Sequence, residues 1–370
     1  MNTKDKINKV KEIFKDKKVA IAFSGGADST LLIHLAKESN ADILAVTFDN
    51  FIDPSGFVEY SRKRAEDFGV KHEIIELNFF DVDEFVSNKA SRCYDCRKLM
   101  YSSIKQLAKE KGYEIMVDGN NITDLIHDRP GILVKYENEV LSPFIDAGLE
   151  SYEIHKYLED NDIEYAKSTT CLATRIKTNQ KVTPDSINRI DYGESFIKDL
   201  TGVDVVKLRE DNNKATVEVS DLDKILDKEI ISKITEELKE LKYDKILLDI
   251  GIDNSEESLI KDSEIQIKEN GRLRLDKSVP YKIDIENTIK IISKNPIIEN
   301  IGEIKEIKVI NEGLLKFEIE DKTFKLLEYG QIVFEDLDDK EEVYLYLIKI
   351  LPLIRRKVSW NQNFNSISNF

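Results

Sequence analysis

Short apolar runs alternate with stretches of helical spacing through the first half of the chain. Residues 18–23 read as a strand, followed by a glycine turn and by apolar positions at helical spacing over residues 29–38. The unit then recurs. A strand at residues 43–48 leads through the polar loop 49–55 into a helix near 57–68, a third strand covers 72–77, and a fourth lies at 114–118, with helices flanking the stretch from Cys93 to Cys96. Such alternation predicts an α/β domain with a parallel sheet covered on both faces, whose ligands lie at the carboxyl ends of the strands. In front of it, MNTKDKINKVKEIF has the spacing of a short amphipathic helix and lacks the apolar centre of a signal peptide.

The pattern changes near Asp185. A helix over 186–200, strands at 205–209 and 214–219 and a helix around 227–241 predict a small α+β unit, and strands at 304–309, 314–319 and 331–334 before a helix at 340–351 predict another. The expected division is therefore residues 1–168 for nucleotide binding, 169–252 for a second α+β domain, and 253–370 for an accessory α+β domain, with assembly or partner docking as its default role. Residues 360–370 are polar enough to fray. No internal repeat or low-complexity segment stands out.

Composition narrows the function classes. The 370 residues exceed one typical core, and 41% hydrophobic with 34% charged residues describes an ordered globular chain. A formal charge of -16 disfavours nucleic acid and anionic membrane as partners, so a phosphorylated ligand must meet a local positive site. The apolar stretch 344–354 is interrupted by Lys349 and Pro352, and no run approaches a bilayer span. The expected location is the cytoplasm. Oligomeric state is left open, a homo-oligomer included.

Chemistry concentrates at Ser24-Gly25-Gly26-Ala27-Asp28-Ser29, between an apolar strand and a helix. The two glycines let the backbone turn tightly and approach a ligand, with free amides and the positive helix end facing phosphates. Ser24 and Ser29 add hydroxyls, and Asp28 can hold magnesium between phosphate oxygens. The loop lacks the terminal lysine that grips β- and γ-phosphates in a Walker loop, so it suits pyrophosphate as a leaving group. An ordinary glycine-rich strand-to-helix turn is the plain alternative.

Three cysteines cannot form a disulfide framework in a chain this long. Cys93 and Cys96 have a spacing that lets two thiolates reach one metal centre, and Arg92, Arg97 and Lys98 are expected to lower their pKa values. Cys171 is distant but could return to the same mouth of the sheet, and three thiolates on a four-iron cluster would leave one iron open to a sulfide. A small zinc site, plain reduced thiols and a buried Cys171 remain the alternatives.

The SGGADS loop resembles the signature of the PP-loop ATP pyrophosphatases, which implies cleavage of ATP between its α- and β-phosphates and transfer of AMP to a substrate oxygen. Further stretches carry a closer likeness. Arg92-Cys93-Tyr94-Asp95-Cys96-Arg97-Lys98, Asp118-Gly119-Asn120-Asn121 with Asp124, Asp128-Arg129-Pro130-Gly131, Leu141-Ser142-Pro143-Phe144, Ala147-Gly148-Leu149 and Thr170-Cys171-Leu172-Ala173-Thr174-Arg175 follow in order. Together they resemble the LarE-type ATP-dependent sulfur transferases of nickel-pincer cofactor biosynthesis, over roughly the first two thirds of the chain.

That resemblance implies a nicotinic-acid-derived mononucleotide whose carboxylates are adenylated and converted to thiocarboxylates. Cys171 matches the sulfur-transfer cysteine, which in some members gives up its own sulfur and becomes dehydroalanine. Where a CxxC pair is present, it implies a four-iron four-sulfur cluster on Cys93, Cys96 and Cys171, with sulfide or a donor protein as the sulfur source. The catalytic set expected is Cys171, Asp28 and Arg175. For ATP and magnesium it is Ser24, Gly25, Gly26, Asp28, Ser29, Thr47, Asp49, Gly119 and Arg129. The likeness weakens after Arg175, where Ile176 to Gln180 replace a proline-tyrosine-glycine turn, and near Asp249 to Asn254.

Arg129, Arg175 and, less directly, Arg209 are the expected guanidinium contacts to phosphate or carboxylate. Asp124 and Asp128 could hold magnesium or cap a helix. Glu194 reads as part of a solvated helix face, and His34, His72, His127 and His155 lack metal-ligand spacing and read as structural or exposed. A tRNA thiolase with the same cluster, an ammonia-using synthetase that needs no cysteines, and a nucleotide sensor without turnover are the competing readings.

Overall fold

The computed structural model describes residues 2–167, 170–251, 258–311 and 313–357. The expectations for residues 252–254 and 360–370 lie outside the described residues. Among the described residues the strands form three sheets. The first contains β1 (Lys18–Ala22), β2 (Asp42–Asp49), β3 (Lys71–Glu76) and β4 (Ile115–Val117), all parallel in the order β3-β2-β1-β4. The chain therefore moves to one side of β1 for β2 and β3, then to the other for β4. Between β1 and β4 lies a topological switch point, where loops diverge and leave a crevice.

Both faces of this sheet are covered, as its near-continuous apolar strands require. On one side Val19, Ile21 and Ala45 pack beneath Leu31, Leu35 and the N-terminal helix Thr3–Phe14. On the other, Ala20, Leu44 and Val46 meet Tyr101, Ile104 and Ala108 of the helix Arg92–Lys111. Cys93 and Cys96 belong to the first turn of that helix instead of a link between helices. Their three-residue separation puts both thiols on one helix face.

The second sheet, β5 (Val206–Asp211), β6 (Lys214–Val219) and β7 (Lys245–Leu248), packs against the helices Pro184–Thr201 and Lys228–Glu240. The third contains β8 (Ile265–Ile267), β9 (Leu273–Ser278), β10 (Ile297–Ile298), β11 (Gly302–Asn311), β12 (Leu314–Ile319), β13 (Lys322–Leu327) and β14 (Gln331–Leu337). Every pairing in it is antiparallel, in the order β10-β11-β12-β13-β14-β9-β8. Its apolar face is alternate: Leu315, Phe317 and Ile319 point with Phe324 and Leu326 toward Leu347 and Ile350 of the helix Lys340–Ile350. Neither later core is closed on itself. The one around the second sheet takes in Ile52, Phe79 and Phe85, and the one around the third takes in Ile122, Leu125, Ile126, Ile132 and Ile145. No helix among the described residues is long and apolar enough to cross a membrane.

Candidate active site

The glycine loop leaves β1 at the switch point. Gly25 sits at φ +72°, and a Cβ there would stand 3.0 Å from the Tyr60 ring, so both backbone angle and close approach require glycine. Gly26 opens the helix Ala27–Glu38 without a side-chain cap. The first-turn amides of that helix therefore face the crevice with the positive end of its dipole. The loop is held from behind: Thr30 Oγ1 donates to the Gly25 carbonyl at 3.1 Å, and the Ala166 amide donates to the same oxygen at 2.8 Å. Ser29 Oγ accepts from the Ser24 amide and lies 3.2 Å from Ser24 Oγ.

The facing wall follows β4. Asp118 is buried and accepts from Ser142 Oγ at 2.6 Å and from Tyr101 Oη. Gly119 then brings the wall onto the loop, because a Cβ would stand 2.9 Å from the Asp28 Cβ. Asn121 Nδ2 donates to Asp28 Oδ1 at 3.0 Å, and the Asn121 amide donates to Asp124 Oδ2 at 3.0 Å. Asp124 thus caps the 3-10 turn Ile122–Ile126 while its other oxygen pairs with Arg129 Nη1 at 2.5 Å. Arg97 Nη1 donates to Asn120 Oδ1 at 3.0 Å, tying the cysteine-bearing helix to the same wall.

Between loop and wall lies a cavity of about 340 Å³. Ala22, Phe23, Val46, Phe48 and Met100 give it an apolar end; Ser24, Gly26, Asp28, Ser29, Asp124 and Arg129 give it a polar one. Its size and mixed lining suit a nucleotide-sized ligand. Burial and the neighbouring Asp124 carboxylate push the Asp28 carboxyl up to about 7, against the Asn121 hydrogen bond. A carboxylate pair without a third anionic ligand is what a magnesium ion bound mainly by phosphates and water needs.

On the flank of this cavity the turn that carries Cys171 is tied to the helix that carries Cys93 and Cys96. Arg92 makes the connection: its Nη2 donates to Cys93 Sγ at 3.3 Å and its Nη1 to the Ala173 carbonyl at 2.8 Å. Asn88 Nδ2 holds the following turn through the carbonyls of Lys177 at 2.9 Å and Gln180 at 2.7 Å, and the Leu172 amide donates to the Ile52 carbonyl at 2.8 Å. Cys171 is carried to the CxxC pair by these contacts. The thiols feel one another: burial first, then Cys171, Cys93 and Asp53, push the Cys96 thiol well up, while burial, Asp53 and Cys93 push Cys171 up to about 12. The expected lowering by Arg92, Arg97 and Lys98 is corrected for Cys96, because desolvation outweighs the guanidinium group beside it and Lys98 turns outward to Glu137 at 3.5 Å.

Among the described residues no group of three or more His, Cys, Asp or Glu side chains is placed to hold a metal ion. A single zinc would draw its sulfurs to about 2.3 Å from one point. A four-iron cluster is likewise held by cysteine thiolates. All three thiols are free and partly buried, and an all-thiol donor set beside a guanidinium suits that cluster.

Other expected site residues lie elsewhere. Thr47 is buried within β2, donating to the Phe23 carbonyl at 2.8 Å with His72 Nε2 at 2.8 Å, so it supports the loop strand and does not line the cavity. Asp49 lines a neighbouring depression with Asn50 and Asp53. Arg175 is not a free guanidinium: it is buried, with Nε donating to Glu194 Oε1 at 2.7 Å and Nη1 to Thr170 and Thr174 hydroxyls at 2.7 and 2.9 Å. Glu194, at 2% exposure, is correspondingly no solvated helix face, and it also accepts from the Leu208 amide at 2.9 Å. Arg209 is exposed and pairs with Glu218. Asp128 pairs with Arg356 Nη2 at 2.8 Å. His127 and His155, by contrast, line the cavity, as do Asp53, Arg97 and Asn121. Of these, Arg97 and Asn121 stood in quoted motifs, whereas nothing local distinguishes Asp53 or His155.

A model of the PP-loop domain matches residues 1–128. The chain is 30% identical over 246 residues to an uncharacterized protein of Methanocaldococcus jannaschii, covering 66% of this chain and 94% of that one. It is 25% identical over 220 residues to an uncharacterized protein of Synechocystis, covering 58% and 81%. To the pyridinium-3,5-bisthiocarboxylic acid mononucleotide synthase of Lactiplantibacillus plantarum it is 23% identical over 239 residues, covering 63% and 86%. The chain belongs to the PP-loop family, whose members are ATP-using enzymes.

Proposed function

We propose that this protein is an ATP-dependent sulfur transferase that adenylates a carboxylate of a small phosphorylated substrate and replaces one oxygen by sulfur. The substrate class we infer is a pyridinium dicarboxylate mononucleotide, which the name of the Lactiplantibacillus relative suggests. One observation carries the reading: an uncapped glycine loop opens on a cavity lined by Arg97 of the helix that bears Cys93 and Cys96, and Arg92 of that helix holds the turn that bears Cys171.

A carboxylate oxygen of the substrate attacks the α-phosphorus of ATP, and pyrophosphate leaves with the bridging oxygen. The amides at the start of the helix Ala27–Glu38 bind the departing pyrophosphate, and Asp28 with Asp124 would hold the magnesium ion. A sulfur nucleophile then adds to the acyl carbon, and AMP leaves with the former carboxylate oxygen. Cys93, Cys96 and Cys171 would hold a four-iron four-sulfur cluster, which when bound supplies that sulfur, with sulfide or a donor protein as its source. Arg175 and Glu194 are positioning residues that fix the turn carrying Cys171.

The test is anaerobic purification with assay of iron and acid-labile sulfide, together with pyrophosphate and thiocarboxylate formation. Cys93→Ala, Cys96→Ala and Cys171→Ala are each expected to lose the iron and the transfer while retaining ATP binding. An iron-free wild type that turns over once and leaves dehydroalanine at Cys171 would make that cysteine the donor. Full transfer by the triple variant would refute a role for the thiols.

A further inference from the structure

The wall of the nucleotide cavity has two faces. In the 3-10 turn Ile122–Ile126, side chains three apart lie above one another. Ile122 and Leu125 point together into the core of the third sheet, where Ile126 joins them, while Thr123 and Asp124 line the cavity. The wall is thus packed from behind by the C-terminal region, and polar contacts fasten it there. Tyr281 Oη donates to the Leu125 carbonyl at 2.7 Å, and Arg356 Nη2 donates to Asp128 Oδ1 at 2.8 Å. The Arg356 guanidinium also lies 4.2 Å from the centre of the Tyr281 ring, so the two anchors support each other. Arg356 is itself held by a bridge to Ile283, in a strand-like pairing that closes with the Lys357 amide on the Lys282 carbonyl at 2.7 Å.

We propose that the C-terminal β region is a brace of the nucleotide site, with Tyr281 and Arg356 as positioning residues for the segment that carries Asp124 and Arg129. Asp124 accepts from the Asn121 amide and pairs with Arg129, whose neighbour Asp128 is the residue Arg356 holds. Releasing Asp128 lets the turn at His127 to Arg129 move, and with it the cation that partners Asp124. This inference rests on the cavity being the ATP site, and its test separates the two ideas.

The experiment uses the full chain and the variants Tyr281→Phe, Arg356→Ala and Arg356→Lys. ATP affinity is measured by calorimetry, amide hydrogen exchange is followed over residues 119–132, and thermal unfolding controls for folding. Arg356→Ala is expected to weaken ATP at least tenfold and to speed exchange in that segment, with a smaller loss for Arg356→Lys, which keeps the charge and loses the planar stacking. Tyr281→Phe removes only the hydroxyl and should speed exchange around Leu125. Wild-type ATP affinity in a folded Arg356→Ala protein overturns the brace. If the wild type binds no ATP, the nucleotide reading fails by itself; exchange then decides the brace, faster exchange supporting it and unchanged exchange overturning it.

Discussion

Replacing Asp28 by asparagine should make the metal-free protein more stable at alkaline pH, although the residue stands at the centre of the proposed active site. The carboxyl is pushed from its ordinary 3.8 to about 7 by burial and by the Asp124 carboxylate. Charging it in the native state therefore costs stability. Between those two values the native state binds a proton that the unfolded state has released, so stability falls as pH rises through the window and is unaffected by this group outside it. Each tenfold shift in proton affinity corresponds to about 1.36 kcal/mol, which sets a ceiling of roughly 4 kcal/mol on the loss completed by pH 8. Asparagine preserves the shape and can still accept from Asn121 Nδ2, so little is lost in exchange.

The assay is urea unfolding in the presence of a chelator at pH 5 and pH 8 for both proteins. The variant should be the more stable at pH 8, by about 1 to 4 kcal/mol, with a smaller gap at pH 5. The same variant should lose magnesium-dependent ATP binding, since one of two carboxylates is gone. A variant equally or less stable at pH 8 would falsify the claim that this carboxylate is desolvated and repelled by Asp124.

Further expectations concern geometry. Gly119→Ala puts a methyl group 2.9 Å from the Asp28 Cβ, and calorimetry should show ATP binding at least tenfold weaker with the fold retained by circular dichroism. Glu194→Gln leaves the buried Arg175 charge without its partner, and chemical denaturation should report a loss of about 3 kcal/mol. Gly330→Ala, at φ +100° with its Cβ 2.5 Å from the carbonyls of Val279 and Tyr281, should lower the thermal midpoint by clear steps beyond a surface substitution. Ile122→Ala removes a fully buried side chain from the core of the third sheet and should cost about 2 to 5 kcal/mol in the same unfolding assay.

Local pattern made the first sheet legible. The strands β1 to β4 and the helix Phe57–Phe68 follow the expected positions closely because a doubly covered parallel sheet demands apolar runs that stand out against polar loops. The glycine loop was legible for a related reason: its chemistry is contained in six consecutive residues. What stayed hidden was non-local. Glu194 looks like any acid on a helix until Arg175 and the Leu208 amide are brought to it from other elements. β13 was missed because Lys322 and Lys325 interrupt it, and Lys322 is in fact buried among Asp321, Asp338 and Glu342. The cysteine pair was read as lying between helices, yet an uncapped first turn at Arg92 carries it, where Cys and Tyr are weak helix formers.

The charge arrangement of the cavity explains why an acidic protein could bind a polyphosphate there only with help. Asp118 spends its acceptors on Ser142, Tyr101 and Asn120, and Asp124 is paired with Arg129, so neither opposes the ligand at full strength. Asp28 has only the Asn121 amide group among these polar partners and sits at the mouth of the phosphate loop. Bare ATP would meet this carboxylate as a like charge, whereas a divalent cation turns it into an attractive ligand. Binding should therefore be linked both to magnesium and to release of the Asp28 proton near neutral pH. The brace behind the wall matters for the same reason, since the Arg129 charge reduces the repulsion only while its turn is held in register with Asp124.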